Sequence, residues 1–264
     1  MDTGVVAGLA DGKSVAMCGL TNTSAVLLVG GFGTRLRSVL PATPKPLAAI
    51  GKKSFLELLI RQLQSQGISR LVMCTGYLAD QIESELGDGR DWGVAIEYSR
   101  ELRPLGTGGA LKLAEPLLKD SSDFLVMNGD SFLEADLRQL IEFHRQHRGL
   151  TTMAGVQVEN ASRYGTLRVD PEGRVVGFLE KTGGDGPGLI NAGVYVFQRN
   201  IFDCIPEGPA SLERDVFPRI LDRGMYVLRQ RGMFIDIGTP EDYARAQQLC
   251  DRLYEAAAPR KGTE

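Results

Sequence analysis

Positive charge is not in excess in this chain. Thirty lysines and arginines stand against 33 aspartates and glutamates, a formal net charge of −3 over 264 residues. The basic residues form no blocks, so neither nucleic acid nor an anionic membrane is an expected partner, and any phosphate bound should be held locally. No uninterrupted apolar stretch approaches the ~20 residues of a membrane-spanning helix. Cysteine is scarce: Cys18, Cys74, Cys204 and Cys250 include no C-x-x-C pair, which argues against a zinc or redox motif. With no clear secretory signal, reduced thiols and a cytoplasmic location are the expectation. Residues 1–24 are rich in Gly, Ala, Ser and Thr but lack the basic start and apolar core of a signal peptide. They read as a flexible N-terminal extension, with a folded domain over 25–256. There is no linker and no internal repeat.

Glycine is what the chain does have. Ala25-Val26-Leu27-Leu28-Val29 is an apolar run of strand length, and it empties into Gly30-Gly31-Phe32-Gly33-Thr34-Arg35-Leu36. Glycines let backbone N–H groups close on an anion without Cβ interference. Arg35, and Lys45 in Pro44-Lys45-Pro46, can then neutralise a polyphosphate. The loop is neither a P-loop, which needs Lys-Ser/Thr after its second glycine, nor a dinucleotide loop, since no third glycine follows Gly31-Phe32-Gly33.

Beyond this loop, apolar runs alternate with helix-period segments, which predicts α/β layering on a largely parallel sheet. Strands are expected at 71–75, 94–98 and 124–128, and helices at 55–66, 80–86, 110–118 and 137–147. Pro116 should weaken or end the third helix. From residue 151 short strands separated by turns predominate, followed by helices at 212–223 and 241–256. This texture divides the domain into a first half, about 25–150, and a second, about 151–256.

Asn128-Gly129-Asp130 ends a predicted buried strand, where open α/β sheets bind ligands. It is either a plain turn or a carboxylate placed to hold Mg²⁺ against phosphate oxygens. Leu105-Gly106-Thr107-Gly108-Gly109-Ala110 is a second glycine turn; its glycines exceed what a helix cap needs, which favours a ligand contact. Thr239 and Pro240 read as N-cap and N1 of the last helix, leaving Asp236 unexplained. His144 and His147, spaced i, i+3, read as a solvated helix face rather than a metal site, and Trp92 reads as a packing residue.

Gly30–Leu36 together with Pro44-Lys45-Pro46 resembles the G-G-x-G-T-R-L and P-K-P signature of the sugar-nucleotide pyrophosphorylases. These nucleotidyltransferases join a nucleoside triphosphate to a sugar 1-phosphate. The likeness runs from about residue 25 to about 253 and includes Asn128-Gly129-Asp130, Asp236-Ile237-Gly238-Thr239-Pro240, Glu180-Lys181 and Asn191-Ala192-Gly193-Val194-Tyr195. It implies one α/β domain, a Rossmann-like three-layer sandwich with a mixed, mostly parallel central sheet. The first half would bind nucleotide through Gly30, Gly31, Gly33, Thr34, Gly76, Gly106, Thr107 and Gly109. The second would bind sugar through Tyr164, Gly165, Glu180, Lys181 and Asn191. The resemblance further implies Mg²⁺ on Asp130 and Asp236, Arg35 on the triphosphate, Lys45 at the α-phosphate and Lys181 on the attacking phosphate.

Within that family the texture is nearest the short guanylyltransferases of a manno-configured heptose 1-phosphate. Thr75-Gly76-Tyr77, Gly87-Asp88-Gly89, Ile96–Ser99 and Pro104–Ala110 carry that likeness. It implies GTP and that sugar, with the product feeding capsule, lipopolysaccharide or S-layer glycan synthesis. Mannose 1-phosphate guanylyltransferases and short uridylyl- or thymidylyltransferases share most of these positions. A glycosyltransferase would carry D-x-D where Asn128-Gly129-Asp130 stands. A non-catalytic sensor subunit would be expected to lose Arg35, Lys45, Lys181, Asp130 or Asp236. No C-terminal β-helix texture is present, so no acyl transfer is expected. A homo-oligomer is compatible with the sequence.

Overall fold

Alternation along the first strand, β1 (Ser24–Leu28), divides the molecule into layers. Ala25 and Leu27 enter one apolar cluster and Val26 another, because successive side chains point to opposite faces. A strand buried on both faces must be covered on both. The computed structural model describes Leu20, residues 23–179 and residues 186–259. Leu20 already packs in the core at 4% exposure, so the domain begins before Ala25.

A small hairpin, β2 (Ala49–Ile50) and β3 (Lys53–Ser54), leads into helix α1 (Phe55–Ser65). Ser54 caps that helix, accepting from the Glu57 N–H at 3.2 Å, and Phe55, Leu56, Leu58, Leu59 and Leu63 are buried. β4 (Arg70–Thr75), α2 (Ala79–Leu86), β5 (Ala95–Arg100), α3 (Gly106–Leu113) and β6 (Asp123–Asn128) follow. The four longer strands lie parallel in the order β6-β1-β4-β5. After β7 (Ser131–Leu133) and α4 (Leu137–His147) come β8 (Thr151–Val158), β9 (Thr166–Val169), β10 (Val175–Leu179) and β11 (Gly188–Gln198). β11 pairs antiparallel with β6 and with β8, and β8 pairs parallel with β12 (Met225–Gln230). Through β11 the two halves share one sheet of nine strands among the described residues. β13 (Phe234–Asp236) pairs with β7 in a separate ribbon, and α5 (Pro240–Gln248) and α6 (Cys250–Ala257) close the domain.

Several elements depart from expectation. α3 begins at Gly106, not at 110, and stops at Leu113; a 3-10 turn, Glu115–Leu118, carries Pro116. The helix expected over 212–223 is instead a π turn, Leu212–Val216, and two 3-10 turns, because Pro218 has no N–H for the helical ladder. The last helix is two, broken at Leu249. His144 is not solvated: it is buried, with Nδ1 3.0 Å from Thr152 Oγ1. His147 stacks on Phe143 and meets Tyr226 at a tilt.

Candidate active site

Two clefts, each of about 360 Å³, meet at the carboxyl ends of β1 and β6 and share Arg35, Asn128 and Asp130. The first is built on the glycine loop. Gly33 has φ +56, and a Cβ there would lie 3.0 Å from Lys45 Cβ, so the turn needs glycine to let Lys45 approach. Leu36, buried, anchors the single 3-10 turn Thr34–Leu36 and leaves Arg35 lining both clefts. Pro44 precedes a second 3-10 turn, Lys45–Leu47, which carries the Lys45 side chain inward to 10% exposure.

Lys45 Nζ lies 2.6 Å from Asp130 Oδ2. The β7–β13 ribbon sets Asp236 opposite Ser131. Ser131 Oγ consequently lies 3.2 Å from Asp130 Oδ1 and 3.3 Å from Asp236 Oδ2. Burial pushes the Asp130 carboxyl up, but the charge and hydrogen bond of Lys45 outweigh it and hold the group below the usual range. Asp236 is pushed up to about 6, first by burial and then by the neighbouring Asp130 charge. Two carboxylates crowded in this way favour a shared cation. Carboxylate oxygens are the donor type that Mg²⁺ takes; among the described residues no group of three or more His, Cys, Asp or Glu is placed to hold a metal.

Of the residues expected at the nucleotide, Gly30, Gly31, Gly33, Thr34, Gly106 and Thr107 line the first cleft; Gly76 and Gly109 do not. Gly76 instead allows close packing: a Cβ there would lie 2.6 Å from Glu101 Oε1 and 3.0 Å from Gly30 O. Gly108 and Gly109 spend their N–H groups on Ala210 O, at 2.8 and 3.1 Å. Backbone approach by residues 208–210 thus accounts for much of this glycine cluster. Tyr164, Gly165 and Asn191 line the second cleft with Asp130 and Asp236. Asn191 also braces a bulge in β11, donating to Tyr195 Oη at 2.8 Å and accepting from the Gly193 N–H at 3.0 Å. Glu180 and Lys181 lie outside the described residues.

Sequence reasoning missed other cleft residues. Glu101 lines the first cleft, half-buried, its Oε2 accepting from the Leu105 N–H at 3.0 Å. Burial raises its carboxyl and that N–H opposes the shift; no lysine or arginine among the described residues pairs with it. Asn128 lines both clefts, and its buried Oδ1 has no hydrogen-bond partner among the described residues. Glu213 and Arg214 line the second, as do Arg163 and Asp242, an ion pair at 2.8 Å. The only signal for Glu101 was its place just before the second glycine turn. Glu213 and Arg214 sat inside what read as an ordinary helix.

A family model described as nucleotidyl transferase matches residues 24–252. The chain is 42% identical over 226 residues to a mannose-1-phosphate guanylyltransferase of Mycobacterium tuberculosis, covering 84% of this chain and 62% of that relative. It thus spans a little under two thirds of that relative's length. It is 39% identical over 226 residues to the D-glycero-alpha-D-manno-heptose 1-phosphate guanylyltransferase of Aneurinibacillus thermoaerophilus, covering 85% of this chain and 96% of that one. Among solved structures, HddC from Yersinia pseudotuberculosis complexed with GMP-PN superposes with a TM-score of 0.77 at 35% identity, over 86% of this chain and 98% of that one.

Proposed function

The chain belongs to the nucleotidyl transferase family, and from that premise we propose that it transfers a guanylyl group from GTP to a sugar 1-phosphate, releasing pyrophosphate. The observation that carries guanine is Glu101. A carboxylate lining the nucleotide cleft without a cationic partner calls for N–H donors. Guanine alone among the common bases offers two adjacent ones, N1–H and the 2-amino group. Uracil and thymine offer one N–H flanked by carbonyl oxygens, which a carboxylate repels.

The sugar 1-phosphate is itself a competent nucleophile, so no general base or covalent intermediate is required. Catalysis is alignment and charge neutralisation. A phosphate oxygen of the sugar attacks the α-phosphorus, and the bond to the β-phosphate breaks. Arg35, which lines both clefts and whose charge also acts on Asp130, neutralises the triphosphate and the departing pyrophosphate. Lys45 stands at the α-phosphate, and Lys181 is assigned to the incoming phosphate. Asp130 and Asp236 would hold Mg²⁺, which supplies further neutralisation of phosphate charge. Asn191, Tyr164 and Gly165 would face the sugar, with Glu180.

A manno-configured heptose 1-phosphate is our preferred acceptor. The 39% identity to the heptose 1-phosphate guanylyltransferase supports that choice; the 42% identity to the mannose-1-phosphate enzyme makes mannose 1-phosphate the second reading. The product would feed surface polysaccharide synthesis. Among the described residues no helix is long and apolar enough to cross a membrane, and GTP supply favours the cytoplasm. The test is pyrophosphate release with GTP, UTP, dTTP, CTP and ATP against heptose, mannose and glucose 1-phosphates. The highest kcat/KM is expected for GTP with the heptose. A preference for UTP or dTTP would overturn the guanine assignment; a preference for mannose 1-phosphate would change the sugar alone.

A further inference from the structure

One hydroxyl on the nucleotide side reaches across to the sugar side. Thr107 Oγ1 accepts from the Leu212 N–H at 2.8 Å and donates to Glu213 Oε2 at 2.9 Å. Ser211 Oγ donates to the same carboxylate oxygen at 2.8 Å. A hydroxyl has a single proton, and that of Thr107 is spent on Glu213 rather than on a nucleotide.

The segment that carries Glu213 is the π turn Leu212–Val216, a geometry frequent at functional sites. Its position is set from the nucleotide side, because Ala210 N donates to Leu105 O at 2.8 Å and Ala210 O accepts from Gly108 and Gly109. Glu213 lines the sugar-side cleft. Its Oε2 is held by two hydroxyls, while Oε1 accepts no hydrogen bond among the described residues. A fixed carboxylate with one oxygen unclaimed, on the wall of a polyol site, is suited to accept a sugar hydroxyl.

We propose that Glu213 accepts a hydroxyl of the sugar 1-phosphate and that Thr107 is the positioning residue that aims it, linking the two clefts. This rests on the sugar 1-phosphate reading above. Steady-state kinetics with GTP and the best sugar 1-phosphate test it, in Thr107→Val, Thr107→Ser, Glu213→Gln and the Thr107→Val/Glu213→Gln double variant. Thr107→Val and Glu213→Gln should each raise KM for the sugar 1-phosphate by about ten-fold or more, with KM for GTP shifted by less than about two-fold. Thr107→Ser, which keeps the hydroxyl, should restore the sugar KM. The double variant should be no worse than Glu213→Gln alone, since the threonine acts through the glutamate. Should Thr107→Val fold poorly, Glu213→Gln carries the test. The proposal is overturned if Thr107→Val raises KM for GTP as much as for sugar, if neither KM moves, or if the two effects add in the double variant. Wild-type protein that turns over no sugar 1-phosphate overturns the functional reading itself, and this inference with it.

Discussion

Asp130 and Asp236 carry the same group in one site and differ by their neighbours. Lys45, 2.6 Å away, overcomes the burial of Asp130; Asp236 has burial and the Asp130 charge against it. Each is expected to be indispensable to turnover. Asp130→Asn or Asp236→Asn should lower kcat by about a hundred-fold or more with the circular dichroism spectrum retained; near wild-type turnover at saturating Mg²⁺ would remove that residue from the proposed metal site. Lys45→Ala should lower kcat by about ten- to a hundred-fold with every sugar, because the lost contact is charge-assisted and lies where charge develops. Glu101→Gln replaces two acceptor oxygens by one acceptor and one donor. GTP should lose about a hundred-fold in kcat/KM while UTP or dTTP improves, read in the pyrophosphate assay. Unchanged base selectivity would clear Glu101 of any part in reading the base.

At the level of elements, two glycines that look alike in sequence have different work. Gly106 sits at φ +70, and a Cβ there would lie 2.6 Å from Ala210 O. Gly106→Ala should destabilise the fold by about 1–3 kcal/mol, measured as a lower urea midpoint at constant m-value. Gly31 has no atom within 4 Å of where its Cβ would stand. Gly31→Ala should leave stability within about 0.5 kcal/mol and yet raise KM for GTP several-fold. A Gly31→Ala protein as destabilised as Gly106→Ala would mean that the loop needs glycine for folding rather than for ligand. The glycine turns were legible as turns; which neighbour demanded each glycine was not, since Ala210 lies a hundred residues along the chain from Gly106.

Across the whole molecule, His144 links stability to pH. Burial pushes its pKa down to about 4 from the ordinary 6.5, opposed by Asp123 and reinforced by Arg145. Above pH 6.5 the imidazole is neutral in both the folded and unfolded chains, and its full contribution is present. Between 6.5 and 4 only the unfolded chain takes up the proton, so stability falls as pH falls, by up to about 3 kcal/mol. His144→Gln should flatten that slope in urea unfolding curves measured across the window; an unchanged slope would assign the acid sensitivity to other groups. Cys74, fully buried with its thiol pushed up to about 12, should resist thiol reagents in the native protein and react on unfolding.

Local chemistry was readable from the order of the residues alone. The apolar run into Gly30–Leu36, the carboxylates at strand ends and the alternation of strands with helices were readable because each depends on neighbours within a few residues. The layered α/β architecture follows from that alternation, and the buried Cys74 from its apolar run. Features that depend on contacts between distant segments emerge only once the chain is folded. His144 read as surface because its helix neighbours are charged, but Thr152 and the sheet cover it. The Leu212–Arg223 stretch had helical periodicity until Pro218 and the tie to Thr107 bent it into a cleft wall. Glu101 became a candidate base reader only when β5 lay beside β4 and brought it against Gly30 and Gly76. Such pairings join residues tens to more than a hundred positions apart, and no pattern confined to one segment encodes them.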